Sequence, residues 1–347
     1  MLFLKYVVFL FVIASSILCA EDFPKYRMVD LGLFGTDQSS AIAINENGQV
    51  LGTCKEGACN FIFLWDALTG LKLIDLPDDY RSWELKLNNK CQIVGTSYSE
   101  FIYRVFLWDP SLGFWELESS KNSIEVAAFN DMGQVLEQVG DQIFLLDHGK
   151  KTNLTVLFKE QVPGNWSSFH AVSLNNHGHV AFNAYKSNAS EYDTFGQRSF
   201  LWKDGQFKMI MPEKGWETST QVGCLDDEGN IIVNLYHPQR GGNHSQYFIS
   251  QSRNISTECQ GCELIRNGLP VGRDCIPGKL KKDSQGKWYF SKGLQIKKLF
   301  IEEFPYYNVS NTTEVRDQNS KGHVIGHIGT MFPGDHAFLA IPETQNE

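Results

Sequence analysis

The chain has 347 residues and a formal net charge of −9, with 42% hydrophobic and 13% aromatic residues. That is enough apolar material for one large core, or for up to three domains. The acidic balance argues against the basic face that nucleic-acid or anionic-membrane binding needs, so neither partner is expected.

The first twenty residues differ from the rest. Lys5 is the only charge before Glu21, Tyr6 to Leu18 is an apolar run, and Cys19-Ala20 closes it with a small residue. This pattern predicts a signal peptide over 1–20, removed after Ala20, and an extracytoplasmic, secreted or cell-surface product. Leu18 is a poor residue three positions before that cut, so an uncleaved anchor is the alternative. No later segment is apolar enough to span a bilayer.

The mature chain, 21–347, opens with a lone strand, Tyr26 to Leu31. The stretch Ile44 to Asp66 then sets a pattern: a strand, a turn over Asn45-Glu46-Asn47-Gly48, a second strand, a loop, and a third strand ending Phe63-Leu64-Trp65-Asp66. Asn or Asp followed three residues later by Gly suits a type I turn closed by a left-handed glycine. The frame returns at Asn130 to Gly133, Asn175 to Gly178 and Asp226 to Gly229, and more weakly at Asp283 to Gly286 and Asn319 to Gly322. Asn88-Asn89-Lys90-Cys91 has Cys where Gly is expected. Six steps cover the 274 residues from Asn45 to Asn319, a mean period of about 46. Alternation and the wealth of Val, Ile, Phe and Trp favour strands over a two-helix solenoid.

These units predict an all-β chain, a single β-propeller of seven blades, with six as the alternative. The irregular region is 251–305, where Lys287 to Phe290 and Ile296 to Ile301 are the expected strands of a poor sixth unit. The chain begins with a strand that lacks partners and ends, after Ala337 to Ile341, without a fourth strand. The prediction is closure: Tyr26 to Leu31 completes the last blade and removes its open edge. Trp65, Trp108 and Trp202 recur at third-strand ends and read as packing between blades, with a sugar-binding platform as the sharper alternative.

The residues Asp30-Leu31-Gly32, Ser39 to Asn45 and Gly48 to Gly52, with His336-Ala337-Phe338 and three Phe-Leu-Trp strand ends, resemble the bacterial extracellular HAF-repeat proteins. The resemblance implies a propeller-like, secreted or surface-exposed protein, and no established activity.

Seven cysteines follow Cys19. If the product is secreted, disulfides are plausible: Cys54 with Cys59 across the first hairpin, and a bridge among Cys259, Cys262 and Cys275. Asn153, Asn165, Asn188, Asn243, Asn254, Asn308 and Asn311 head Asn-X-Ser/Thr sequons. They are glycosylation sites in a eukaryote and polar loops in a bacterium. His323, His327 and His336 are candidate metal ligands, four residues apart on one strand and on its expected neighbour. Against this, His323 occupies the position of Gln49 in the first turn. His177 and His179 flank Gly178 and are read the same way. Asp226, Asp227 and Glu228 read as a solvated turn before a calcium site. No catalytic residue and no cofactor motif is identified. The function expected is a binding or interaction module, monomeric, for a protein or glycan ligand. Its contact surfaces are the loops Lys186 to Gln197 and His237 to Ser245. The alternative is a propeller enzyme, a glycan hydrolase or lyase, with its site at the mouth of the central channel.

Overall fold

The structure, a computed structural model, describes most residues from 25 to 343, leaving out 187–195, 211–218, 296–313 and several shorter stretches. The proposed signal, 1–20, lies outside the described residues. A lone strand, β1 (Tyr26–Gly32), comes first. Four antiparallel strands then form each successive sheet in simple order. The first sheet is β2 (Gln38–Ile44), β3 (Val50–Glu56), β4 (Cys59–Asp66) and β5 (Gly70–Ile74). The second is β6 (Ser82–Leu87), β7 (Ile93–Ser99), β8 (Ile102–Asp109) and β9 (Gly113–Ser120). The third is β10 (Ile124–Phe129), β11 (Val135–Val139), β12 (Gln142–Asp147) and β13 (Lys150–Asn153).

A helix not expected from the sequence, α1 (Leu154–Gln161), follows the third sheet. Asn153 caps it, its side chain accepting from the Val156 N–H. Leu154 and Phe158, four apart, share its buried face. The Phe158 ring meets Trp166, Phe182, Phe200 and Phe207 edge-on at 4.7–5.9 Å, the geometry favoured by the aromatic quadrupole.

The fourth sheet is β14 (Trp166–Leu174), β15 (Val180–Lys186), β16 (Gln197–Lys203) and β17 (Gln206–Met209), and the fifth is β18 (Ser219–Leu225), β19 (Ile231–His237), β20 (Asn243–Ser250) and β21 (Ile255–Glu258). Three two-stranded ribbons occupy the region read as irregular. They are β22 (Cys262–Arg266) with β23 (Leu269–Gly272), β24 (Cys275–Ile276) with β27 (Leu294–Gln295), and β25 (Leu280–Lys282) with β26 (Trp288–Phe290). The last sheet joins β28 (Glu314–Gln318), β29 (Val324–Ile328) and β30 (His336–Pro342) to β1, in the order β1-β30-β29-β28.

The described residues therefore form six four-stranded blades of an all-β propeller. Six was the alternative count. The sixth of the seven expected units yields ribbons instead of a four-stranded sheet among the described residues. Its presumed turn at 283–286 and its expected strand at 296–301 lie outside them. Within this region β22 packs on β18 and β19, and Ile265 reaches the wall of the central channel.

The predicted closure is present. Tyr26 pairs with Pro342, Met28 with Ala340 and Asp30 with Phe338. The first strand of the chain is thus the outermost strand of the last blade, and the edge of β30 is covered. Inside that sheet the His336 imidazole lies 3.2 Å from both Asp30 carboxylate oxygens, a polar tie between the two ends.

Each blade is buried on both faces, so apolar residues run continuously where a one-sided sheet would alternate. Val50 enters the cluster shared with the last blade, through Leu31, Ile325 and Leu339, while its neighbour Leu51 enters the cluster shared with the second blade, through Leu85 and Ile93. Such clusters fill the successive interblade spaces. Trp65, Trp108 and Trp202 each pack in the cluster shared with the preceding blade, as expected of packing residues.

The Val-Leu-Gly of the second strands also has a physical reason. Gly52, Gly95 and Gly326 pair directly with Phe63, Phe106 and Phe338, whose rings are fully buried. A Cβ on Gly52 would collide with the Phe63 ring and the Ser40 carbonyl. The Phe of the first two Phe-Leu-Trp motifs and of His-Ala-Phe therefore lies over the glycine it faces, whereas Phe200 of the third faces Phe182.

Candidate functional site at the channel mouth

The turns between the first and second strands of each blade gather around one end of the channel. All six have the predicted geometry. Asn45 donates its N–H to the Gln49 carbonyl at 3.1 Å, and its own carbonyl accepts the Gly48 N–H at 3.0 Å. The same pair of bonds recurs at Asn88, Asn130, Asn175, Asp226 and Asn319. Gly48, Gly133, Gly178, Gly229 and Gly322 sit at φ of 76–85°, and Cys91 sits among them at 63°.

The asparagine side chain does more than the sequence reading assigned to it. Asn130 Oδ1 accepts the N–H groups of Met132 and Gln134. Its Nδ2 donates to Gln134 Oε1 at 2.7 Å and to the Asn175 carbonyl of the next blade at 3.0 Å. One side chain thus uses two acceptor and two donor positions, and is saturated. Asn45 donates in the same way to Asn88, Asn88 to Asn130, Asn175 to Asp226, and Asn319 to Asn45 across the closure. These asparagines are 1–4% exposed, so an unmade bond there has no water to replace it.

A second relay runs one residue further on. The Glu46 N–H donates to Asn89 Oδ1, Asn89 to Asp131, Asp131 to Asn176, and Asn176 to Asp227, each at 2.6–2.8 Å. Asn176 Nδ2 bridges the Asp131 and Asp227 carboxylates. Asp226 departs from the Asn pattern. It has no amide to offer, and Asn230 supplies one instead, Nδ2 donating to Asp226 Oδ2 at 2.7 Å. Burial pushes the Asp226 carboxyl above its usual range, against the Asn230 hydrogen bonds that lower it.

The turns enclose a recess of about 580 Å³. Its collar is apolar, from Ile44, Leu87, Phe129, Leu174, Leu225 and Ile265. Its rim carries Glu46, Asp131, Asp226, Asp227 and Glu228, with Lys321 as a cation. Such a mouth attracts cationic or hydroxyl-rich groups and offers them a rigid set of acceptors.

The three candidate metal histidines face different partners. His336 meets Asp30. His327 Nδ1 lies 3.5 Å from Ser40 Oγ and 3.9 Å from Glu314 Oε2. His323 lies over Gly48, at the glutamine position of its turn, and burial pushes its pKa down. Among the described residues, no three His, Cys, Asp or Glu side chains group to hold a metal ion.

Cys54 faces Phe61 and Cys59 faces Glu56 on the paired strands, so the expected bridge joins diagonal positions. Diagonal partners lie roughly 7–8 Å apart, at the limit a disulfide spans. Cys259 is buried beside Cys224 and Ile265, Cys262 lies in β22, and Cys275 lies in β24.

Of the sequons, Asn153 caps α1 and donates to Gln142, while its Thr155 hydroxyl, buried, accepts the Ile143 N–H. That sequon has a folding role of its own. Asn165 is exposed, Asn243 begins β20, and Asn188, Asn254, Asn308 and Asn311 lie outside the described residues. Of the expected contact loops, Lys186 to Gln197 and His237 to Ser245, the stretches 187–195 and 238–242 lie outside them too.

The chain matches no known protein family and no curated protein. Solved structures do match. A catalytically inactive histidine-to-alanine variant of virginiamycin B lyase from Staphylococcus aureus, with quinupristin, is 11% identical; the alignment covers 91% of this chain and 100% of that one, with a TM-score of 0.52. The acylaminoacyl peptidase of Pyrococcus horikoshii is 10% identical over 89% of this chain and 52% of its own, with a TM-score of 0.54. This chain spans about half the length of that peptidase. At such identities the likeness is one of fold, and fold alone does not carry an activity. The HAF-repeat resemblance gains no family match from these comparisons, and what stands is a closed β-propeller similar in fold to these proteins.

Proposed function

We propose that the chain is an extracytoplasmic binding module that presents the channel mouth and its ring of turns to a polar ligand, a glycan or a protein segment. The apolar run Tyr6 to Leu18 supports the address. The observation that carries the binding reading is the state of the rim. Its amides and several of its carboxylates are held in an interblade hydrogen-bond relay, which fixes them without placing a nucleophile beside a base. A preorganised set of acceptors over an apolar collar recognises a ligand at little ordering cost.

The competing reading is a glycan hydrolase or lyase with its site in the same mouth. It calls for a pair of carboxylates that exchange protons with substrate, and in the mouth lining the Asp131 and Asp227 carboxylates are both tied to the Asn176 amide. Screening the mature chain on a glycan array and against extracellular matrix peptides separates the readings. The binding reading expects a ligand retained intact and bound at least tenfold more weakly by Glu46→Ala and Lys321→Ala. A ligand that binds both variants as well as the parent, or that is cleaved on contact, contradicts it.

A further inference from the structure

The groove beside the mouth, between the fourth and fifth blades, departs from a side-chain pairing that the second and third blades keep. In the second and third blades the residue four after the turn asparagine is a glutamine. Gln92 and Gln134 each bridge that asparagine to the aspartate ending the third strand, Asp109 at 3.0 Å and Asp147 at 3.1 Å. The Gln92 bond pulls the Asp109 pKa below the usual carboxylate range, and His148 first, then Gln134, do the same for Asp147. In the fourth blade both members change together. His179 stands in place of the glutamine and Lys203 in place of the aspartate. An amide–carboxylate hydrogen bond is replaced by two groups that repel when both are charged. The fifth and last blades also lack the glutamine–aspartate pair, with Asn230 and Ser250 and with His323 and Ile341, but the fourth differs from them in setting a lysine beside a histidine.

His179, His177, Lys203 and Asp204 face Asp227 and Glu228 across a groove of about 500 Å³. The two imidazole centroids are 5.7 Å apart. Asn175 Nδ2 sits 3.4 Å from His179 Nδ1, which in the neutral ring leaves Nε2 as the donor. Burial first, and then Lys203, push the His179 pKa down, against Asp204, which raises it. One wall thus presents the Lys203 cation and the imidazole donors, with the Asp204 carboxylate next to Lys203, and the other is anionic.

We propose that this groove is a binding site for a small zwitterion of the amino-acid or short-peptide class, its carboxylate on the His179 and Lys203 side and its ammonium on the Asp227 and Glu228 side. This site shares Asp227 and Glu228 with the rim of the channel mouth, while His179 and Lys203 lie outside the mouth lining, so substitutions at those two positions test the groove apart from the mouth.

The test is an NMR titration of the histidine side chains of the mature chain with triglycine, glycine, acetate and methylammonium. Triglycine, glycine or both are expected to shift the His177 and His179 signals saturably and to raise the His179 pKa. Acetate and methylammonium are expected to bind at least tenfold more weakly. Which zwitterion binds tighter separates a peptide from a free amino acid. The double variant His179→Gln, Lys203→Asp rebuilds the pair of the neighbouring blades. It should keep the parent's thermal midpoint and lose at least tenfold in affinity; Lys203→Gln alone supplies the same readout if the double variant does not fold. The proposal is overturned if no zwitterion gives a saturable shift, if acetate binds as tightly, or if the folded variant binds as the parent does.

Discussion

Cys91 places a side chain in the left-handed region at φ 63°, where five sister turns use glycine. A non-glycine residue there costs roughly 1–2 kcal/mol. Cys91→Gly should therefore stabilise the fold by about 1 kcal/mol after the added chain entropy of glycine is offset, read as a higher urea midpoint at unchanged slope. The position was legible from the Asn-to-Gly spacing, because the turn geometry is local.

Glu137 is the opposite case. It occupies the glycine position of the Val-Leu-Gly motif, opposite Phe144, and it is fully buried. Lys151 Nζ lies 2.5 Å from it and 2.5 Å from Glu118. Burial, more than the neighbouring Glu118, moves its pKa from 4.5 to about 7, with Lys151 pulling the other way. The folded carboxyl holds its proton more tightly than the unfolded one. Its contribution to stability is then fullest below pH 4.5, declines as pH rises, and is lost above about 7. Glu137→Gln should flatten the thermal midpoint between those two pH values, and an unchanged slope would show that another group titrates there. Nothing in the sequence marked Glu137, since its burial depends on Lys151 and Glu118 arriving from two different blades.

At the scale of the element, the turn is the recurrent unit. Its backbone could be read from composition, because Asn, Asp and Gly have local reasons to occupy it. The interblade use of the asparagine amide could not, because the acceptor lies 42 to 51 residues away in the chain, or 274 across the closure. Asn130→Asp keeps the acceptor and loses the donor to Asn175 and Gln134. It is expected to cost about 1–3 kcal/mol in chemical denaturation. Adding Gln134→Asn copies the Asp226 and Asn230 arrangement of the fifth blade and should recover part of that loss. A fully additive pair would show that the two side chains do not act together. Helix α1 escaped notice for a related reason. Eight residues after a strand carry little periodic signal, and Phe158 gains its meaning from aromatic rings contributed by the fourth blade. The strand Ile255–Glu258 was missed because it is four residues long and borders the irregular region.

The whole molecule is a ring, and its two ends explain its sequence. A chain that starts on a fourth strand and stops on a third reads as incomplete until the ends meet. The turn asparagines close the same circuit on the channel side, Asn319 donating to the Asn45 carbonyl at 3.1 Å. The last blade meets the first through Leu31, Ile44 and Leu339. Counting blades from sequence was harder, because the region 251–305 keeps the period without the strand pattern. Closure makes the channel mouth a rigid rim, and the binding account depends on that rigidity.

Amide hydrogen exchange of the mature chain tests the closure most directly. The amides of Tyr26–Gly32 that bond to β30 should exchange as slowly as those of Val324–Ile328 and His336–Pro342, since all three strands belong to one sheet. If Tyr26–Gly32 exchanges as fast as a free terminus while those two strands stay protected, the ring is not closed by its first strand, and the fixed rim at the channel mouth loses its foundation.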